Sequence, residues 1–600
     1  MLSIRRGISA SILLVSLALL AACQKEEPAA APAPVSQDAD FQSLADRYID
    51  EFTRFSPVDG TRIGDHRRDR EIDDLTPTGV AAQLAWDNEL LAALGKIDRA
   101  RIDRANQVDA ALLDNALRAD VWSITEFKRR EWDPLLYNDL AGGAIYNLMA
   151  REFAPLPDRL KAASARLHSL AKLYETARAN LIPGKVPQVY AEQVKNRNRG
   201  VESLIDEFLK PKLAELAGAD RDDLNAAIAE ATKAVEDHQH WIETELLPKA
   251  KGEFRVGAQT FDTQLAFTLQ SKLDRAEIRK RAESELKRVR EEMYGIARGV
   301  LAGKAKAPPA PDNPTPDEQQ KVIVAGLELA AAERPPRDKL VEYAKDALAQ
   351  ASTFAKVQNL ITIPSDPIDI ILMPKFQRGF AVAYCDAPGP LDAGQKTFFA
   401  ISPIPDDWDQ KRAESFLREY NTHAIQDVTF HEAIPGHYLQ LAQSNRYPSK
   451  LRSILGSGTF VEGWGVYAER VMTDAGYLDN DPLMKLVNRK MYLRTISNAL
   501  LDQGVHVDGM TREQAMQLMT HDVFQEEREA AGKWVRAQLS STQLSTYFVG
   551  FQEHWDLRQE AEKRAGETFN LKSYNDRVIS FGSPPVRFVR ALMFELPVEP

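Results

Sequence analysis

Phe41-Gln-Ser-Leu44-Ala45-Asp-Arg-Tyr48-Ile49-Asp-Glu-Phe52 carries its apolar residues at i, i+3, i+4, i+7, i+8 and i+11, the stripe of an amphipathic helix. Similar stripes run through most of residues 80–300, broken by proline-marked turns at Pro155 and Pro157 and at Pro183-Gly184. Gly303 to Asp317 holds five prolines and reads as an exposed loop between helices. From Asp407 the helical period resumes at Phe416, Leu417, Tyr420, Ala424, Ile425 and Val428. One stretch departs from it. Phe376 to Cys385 and Lys396 to Ser402 are rich in aromatic and β-branched residues, and the Pro/Gly/Asp cluster Asp386 to Gly394 separates them, so a hairpin-like strand pair is expected there. No composition shift after residue 38 marks a boundary. The pattern predicts a mainly α protein, one large helical body over 38–600 with a small β-hairpin or sheet close to the densest polar motif.

Composition fits that reading. The 600 residues include 76 Lys+Arg and 87 Asp+Glu, a formal net charge of −11, with 44% hydrophobic and 27% charged residues. These values exclude a disordered or collagen-like chain. The acidic balance also argues against a nucleic-acid partner, which needs a concentrated basic face.

The N-terminus is a targeting segment. Arg5 and Arg6 precede an apolar run from Ile12 to Leu20, about half the ~20 residues a spanning helix needs, so residues 1–22 read as a secretory signal. Leu20-Ala21-Ala22-Cys23 resembles a bacterial lipobox, which implies cleavage before Cys23 and lipidation of its thiol. Loss of residues 1–22 removes Arg5 and Arg6 and takes the charge from −11 to −13. Gln24 at the position after the cysteine favours, by resemblance to lipoprotein sorting, the outer membrane and a periplasm-facing body. Residues 23–37 form a Pro/Ala tether that cannot bury a core, so contact with the membrane is expected only through the lipid. With Cys23 lipidated, Cys385 is the one remaining cysteine. It lies in an apolar run and is expected to pack as a small hydrophobe, and an internal disulfide is excluded.

The chemistry concentrates in Thr429-Phe-His431-Glu432-Ala-Ile-Pro435-Gly436-His437-Tyr-Leu-Gln440. Two histidines with an adjacent glutamate suggest a zinc site in which the glutamate activates water. In H-E-x-x-H the histidines stand one helical turn apart. Here they are six residues apart, which on a regular helix means about 9 Å of rise and roughly 120° of misdirection. Pro435-Gly436 is expected to kink the helix and return His437 to the face of His431. Downstream, Phe460-Val-Glu462-Gly-Trp-Gly-Val-Tyr-Ala-Glu469 offers two acids seven residues apart, on nearly one helix face. Glu469 is a candidate to orient an imidazole, with a solvated helix charge as the plainer alternative. His238 and His240 lie on a hydrophilic helix face and are expected to be solvated, and His423 to pack or face solvent.

The motif resembles those of thimet oligopeptidase and of dipeptidyl peptidase III, whose motif has one extra residue. The first resemblance implies Glu462 as the third zinc ligand. Leu417-Arg-Glu-Tyr-Asn421, the His431–Gln440 run, Asp502-Gln-Gly-Val-His506, Tyr547-Phe-Val-Gly550 and Gly582-Ser-Pro-Pro585 together resemble the bacterial lipoprotein family catalogued as domain of unknown function 885, from about residue 40 to the end. That resemblance implies a helical body with a deep central cleft. Tyr574-Asn575-Asp576 departs from the Phe-His-Asp-like triplet expected there.

The resulting expectation is a zinc-dependent hydrolase, most simply a peptidase acting on short peptides in the cell envelope. His431, His437 and Glu462 would hold the metal, Glu432 would move the proton of a water whose pKa the metal lowers to about 7, and His506 and Tyr547 would donate to the developing oxyanion. The strand pair could accept an extended peptide by β-augmentation. The alternatives are a binding lipoprotein whose metal is structural or absent, and a metal-dependent hydrolase of another amide or ester.

Overall fold

The computed structural model describes residues 35–374, 378, 382–392 and 394–599. The signal peptide, Cys23 and most of the tether lie outside the described residues. The fold is 71% helix and 3% strand, as the periodicity predicts. The opening stripe forms the helix Asp38–Phe52 and buries Phe41, Leu44, Ala45 and Tyr48. The proline-rich loop ends where Thr315 and Glu318 cap each other's backbone and Pro316 opens the next helix, because proline at the first helical turn has no N–H to leave unpaired. No helix among the described residues is long and apolar enough to cross a membrane.

Two large apolar cores organise the molecule. One gathers residues between Leu135 and Ala250. The other gathers residues between Phe261 and Val589, including Phe430, Ile434, Tyr438, Phe460 and Trp464, the apolar neighbours of the histidine motif.

The sheet has three strands, β1 (Ile368–Leu372), β2 (Ala383–Asp386) and β3 (Thr397–Ile401), in the order β1-β3-β2. β2 and β3 pair antiparallel, with Ala383 opposite Ile401 and Asp386 opposite Phe398, so the hairpin-like pair exists; residues 376, 377 and 379–381 of the expected first strand lie outside the described residues. β1, parallel to β3, was not expected. Its signal is the β-branched run Ile368-Asp-Ile-Ile371 after Pro367. The far end of β2 is tied to the other core: Tyr146 donates to Asp386 Oδ2 at 2.9 Å, and Arg151 to Asp386 Oδ1 at 2.8 Å.

Candidate metal centre

Six helices, labelled here in chain order, build the site: α1 (Thr422–Glu432), α2 (His437–Ser444), α3 (Gly458–Asp474), α4 (Pro482–His506), α5 (Glu527–Leu539) and α6 (Ser545–Ala565). Asn421 caps α1, its side chain accepting from the N–H groups of His423 and Ala424. At Glu432 the helix stops. The expected kink in one helix is instead a break between two: residues 433–436 fold back, and α2 starts at His437. Gly436 lies so close to the end of α1 that a Cβ there would stand 1.9 Å from the His431 carbonyl oxygen. Trp464 Nε1 donates to the Pro435 carbonyl at 2.9 Å and pins the turn to α3.

The break solves the spacing problem. The rings of His431 and His437 stand with centroids 4.5 Å apart and planes at 81°. Nε2 of His431 is 3.4 Å, and Nε2 of His437 3.5 Å, from Glu462 Oε2. All three ligand atoms lie within 4.8 Å of one another. Tetrahedral zinc with ligand bonds of 2.0–2.1 Å separates its ligand atoms by about 3.4 Å, so the donor set and spacing fit that ion.

Charge surrounds the triad asymmetrically. His431 Nδ1 donates to Glu469 Oε1 at 2.6 Å, which leaves Nε2 as the nitrogen that faces Glu462 and His437. Its ring rests on Gly465, where a Cβ would stand 2.6 Å from Cε1. Burial alone would lower the His431 pKa, but hydrogen bonds with Glu462 and Glu469 outweigh it and raise it well above its usual value. Burial alone would raise Glu462, yet the two imidazoles hold it far below the carboxylate range. Behind Glu469 lies Asp427, fully buried, whose carboxyl accepts from Asn488 Nδ2 at 2.8 Å. Burial, then the adjacent Glu469, pushes Asp427 well up. Asp427 is one helical turn before His431, an i, i+4 signal that a wider reading of the motif would have found. Nδ1 of His437 is buried and has no hydrogen-bond partner among the described residues.

The triad, Glu432 and Glu469 line one cavity of about 780 Å³. Glu432 is pushed up chiefly by burial, with the imidazoles and the backbone N–H of Cys385 opposing. β2 supplies Ala383, Tyr384 and Cys385 to the wall, and burial raises the Cys385 thiol. Cys385 therefore faces the cavity rather than only filling a core. Tyr547 also lines it, its ring 6.3 Å from that of His431 and its hydroxyl accepting from Arg536 Nη2 at 3.0 Å.

His506 does not join them. It is the last residue of α4, buried outside the cavity lining, and Nε2 donates to the Ala537 and Ser540 carbonyls at 2.8 and 3.2 Å. Its imidazole is spent on fastening the end of α5, so the oxyanion role expected for it is withdrawn. One other reading changes. His238 is buried and stacked on Tyr174 at 4.3 Å rather than solvated, whereas His240 is exposed. Asn575 is structural: it accepts from Tyr467 Oη at 2.8 Å and donates to the Leu360 carbonyl at 2.9 Å. His423 packs, bonded to Asp481 at 2.9 Å. The sequence analysis did not single out the cationic residues of the wall, among them Arg494, Arg528, Lys533 and Arg536.

A family profile described as "Bacterial protein of unknown function (DUF885)" matches residues 57–593. Among solved structures, "a putative lipoprotein of unknown function from Shewanella oneidensis" shares 32% identity at a TM-score of 0.77, covering 92% of this chain and 99% of its own. The "putative lipoprotein from Colwellia psychrerythraea" shares the fold, with 16% identity, a TM-score of 0.75, and coverage of 94% and 99%. No curated protein matches. Neither description names a peptidase, so the likeness to thimet oligopeptidase and dipeptidyl peptidase III rests on the motif alone.

Proposed function

The chain belongs to the DUF885 family of bacterial proteins, and on that footing we propose that it is a zinc-dependent hydrolase cleaving short peptides in the cell envelope. The observation that carries the reading is the convergence of His431 Nε2, His437 Nε2 and Glu462 Oε2 on one point of a cavity wall that Glu432 shares. When bound there, zinc supplies a Lewis acid and a water acidified to a pKa of about 7.

The chain's own groups do the rest. Glu432 accepts the proton of the attacking water and delivers it to the leaving amine. Its position beside the ligands and its raised pKa suit both directions of transfer. Glu469, backed by Asp427, holds the His431 ring in place. Peptides rather than other amides or esters are favoured by β2. Ser402 N–H donates to the Val382 carbonyl, so Val382, Tyr384 and Asp386 pair with β3, and the backbone of Ala383 and Cys385 points away from it, with the Cys385 N–H already turned to Glu432. That side of β2 stands in the cavity wall, where an extended substrate backbone could add to it. Anchorage follows from Cys23 and Gln24: a lipid-held protein of the outer membrane, facing the periplasm. The description of the Shewanella oneidensis structure as a putative lipoprotein supports the lipid anchor.

The test is metal analysis with Glu432→Gln. About one zinc per chain, retained by the variant while hydrolysis of a short-peptide library falls by on the order of 10²–10⁴, is the expected result. Absence of zinc, or hydrolysis unaffected by the substitution, contradicts it.

A further inference from the structure

Two helices give the cavity a cationic wall. α4 presents Arg494 and Asn498, and α5 presents Glu529, Lys533 and Arg536, at helical spacings that keep each set on one face. The acids near this wall are already engaged. Glu529 binds Arg494 at 2.7 Å, and Glu419 binds Lys490 at 2.7 Å and Arg494 at 3.6 Å. Among the described residues, Lys533 and Arg536 form no ion pair. Lys533 is 7% exposed, and the hydrogen bond its ammonium makes is to the amide oxygen of Asn498 at 3.0 Å, although it has three N–H donors. Arg536 spends Nη2 on two neutral acceptors, Gln543 Oε1 and Tyr547 Oη, each at 3.0 Å.

Burying a cation without a counter-charge is costly, and the cavity is where such a counter-charge can arrive. We propose that Lys533 and Arg536 form a carboxylate-binding subsite that seats the free C-terminal carboxylate of the substrate, making this an exopeptidase that removes a short C-terminal fragment. The inference rests on the peptidase reading above and deepens it by naming the substrate end.

Position sets the fragment length. Arg536 touches the Tyr547 hydroxyl, and the Tyr547 ring is 6.3 Å from that of His431. Lys533 lies three residues from Arg536, a further ~4.5 Å along the helix. An extended peptide advances about 3.3 Å per residue, so a carboxylate held by Arg536 sits within a few residues of the bond being cut. Burial first, then Arg494 and Arg536, bring the Lys533 amine down to about 7, and a bound carboxylate would restore its charge. An Asp or Glu side chain offers the same chemistry without a chain end.

The test reads binding, so it does not depend on turnover. Zinc-loaded Glu432→Gln protein is titrated calorimetrically with acetyl-trialanine as the free acid, with its C-terminal amide, and with acetyl-dialanyl-glutamate carrying both carboxyls amidated or the side chain alone free. The free acid is expected to bind at least 10-fold more tightly than its amide. Lys533→Met in the same protein should bring acid and amide within about 2-fold, and Lys533→Arg should restore much of the difference. A peptide bearing only the side-chain carboxylate that binds as tightly as the free acid overturns the C-terminal assignment. Equal binding of acid and amide, a preference that survives Lys533→Met, or no binding at all overturns the subsite. The comparison of acid with amide needs no variant at Lys533, so a misfolded variant cannot mask the answer. Failure of wild-type protein to hydrolyse any peptide would sink the catalytic reading separately.

Discussion

Gly465→Ala tests the seat of His431, the first of the proposed metal ligands. A Cβ on residue 465 would stand 2.6 Å from Cε1 and 2.8 Å from both nitrogens of the His431 ring. To regain ordinary contact at ~3.4 Å the ring must retreat by roughly 0.8 Å. It cannot retreat freely, because Glu469 holds Nδ1 at 2.6 Å and the His437 ring stands across from it at 4.5 Å. Metal–ligand distances tolerate only about 0.2 Å, so a displacement of that size takes Nε2 out of the coordination sphere. Outer partners of metal ligands are worth 10–100-fold in affinity, and displacement of a ligand itself should reach at least the upper end, about 100-fold. In the middle of a helix, alanine gains about 1 kcal/mol of intrinsic propensity over glycine, so the fold should survive. Competition against a chromophoric zinc chelator gives the affinity, and far-ultraviolet circular dichroism confirms the helix content. A folded Gly465→Ala protein binding zinc within about 3-fold of wild type would refute the assignment of His431.

Glu469→Gln keeps the shape of the hydrogen bond to His431 but removes its charge. Zinc affinity should fall about 10–100-fold in the same competition assay. Trp464→Phe deletes the bond that pins the Pro435 turn and should cost about 1–3 kcal/mol in denaturant unfolding, with zinc binding weakened in parallel. Lys533 has a folded pKa of about 7, below its unfolded value of about 10.4. Between those values the unfolded chain binds more protons than the folded one, so its stability relative to Lys533→Met should rise with pH from 7 to 10, by at most about 1.4 kcal/mol per unit, and be flat below 7. Glu419, Glu529, Arg494 and Arg536 face the same amine, and parallel denaturant curves of the two proteins cancel their shared contribution. Cys385, whose thiol burial raises, should react with a neutral alkylating agent at pH 8 far more slowly in the folded protein than after denaturation.

Local patterns carried the part of this structure that could be read in advance. The stripe from Phe41 to Phe52 needs no partner to declare a helix, and Pro435-Gly436 between His431 and His437 announces a broken backbone wherever the segment packs. Glu469 followed from a seven-residue spacing, and Asp427 would have followed from a four-residue one. β1 escaped because four residues after a proline are too short a signal, and its partner β3 comes 29 residues later in the pairing. The cationic wall was illegible for a different reason. Lys533 and Arg536 sit in an ordinary amphipathic helix, and only the packing of α5 beside α4 turns that charged face toward the cavity of His431, His437 and Glu462 instead of water. His506 failed in the opposite sense, since a histidine in a promising sequence was carried by its helix to the end of α4 and used there as a fastener.

The central claim is that His431, His437 and Glu462 hold one metal ion. Diffraction from crystals of the purified protein, recorded on both sides of the zinc absorption edge, tests it without reference to any substrate. The account predicts one strong anomalous peak, vanishing below the edge, about 2.0–2.2 Å from His431 Nε2, His437 Nε2 and a Glu462 carboxylate oxygen. No peak after zinc soaking, or a peak bound to other side chains, would contradict it.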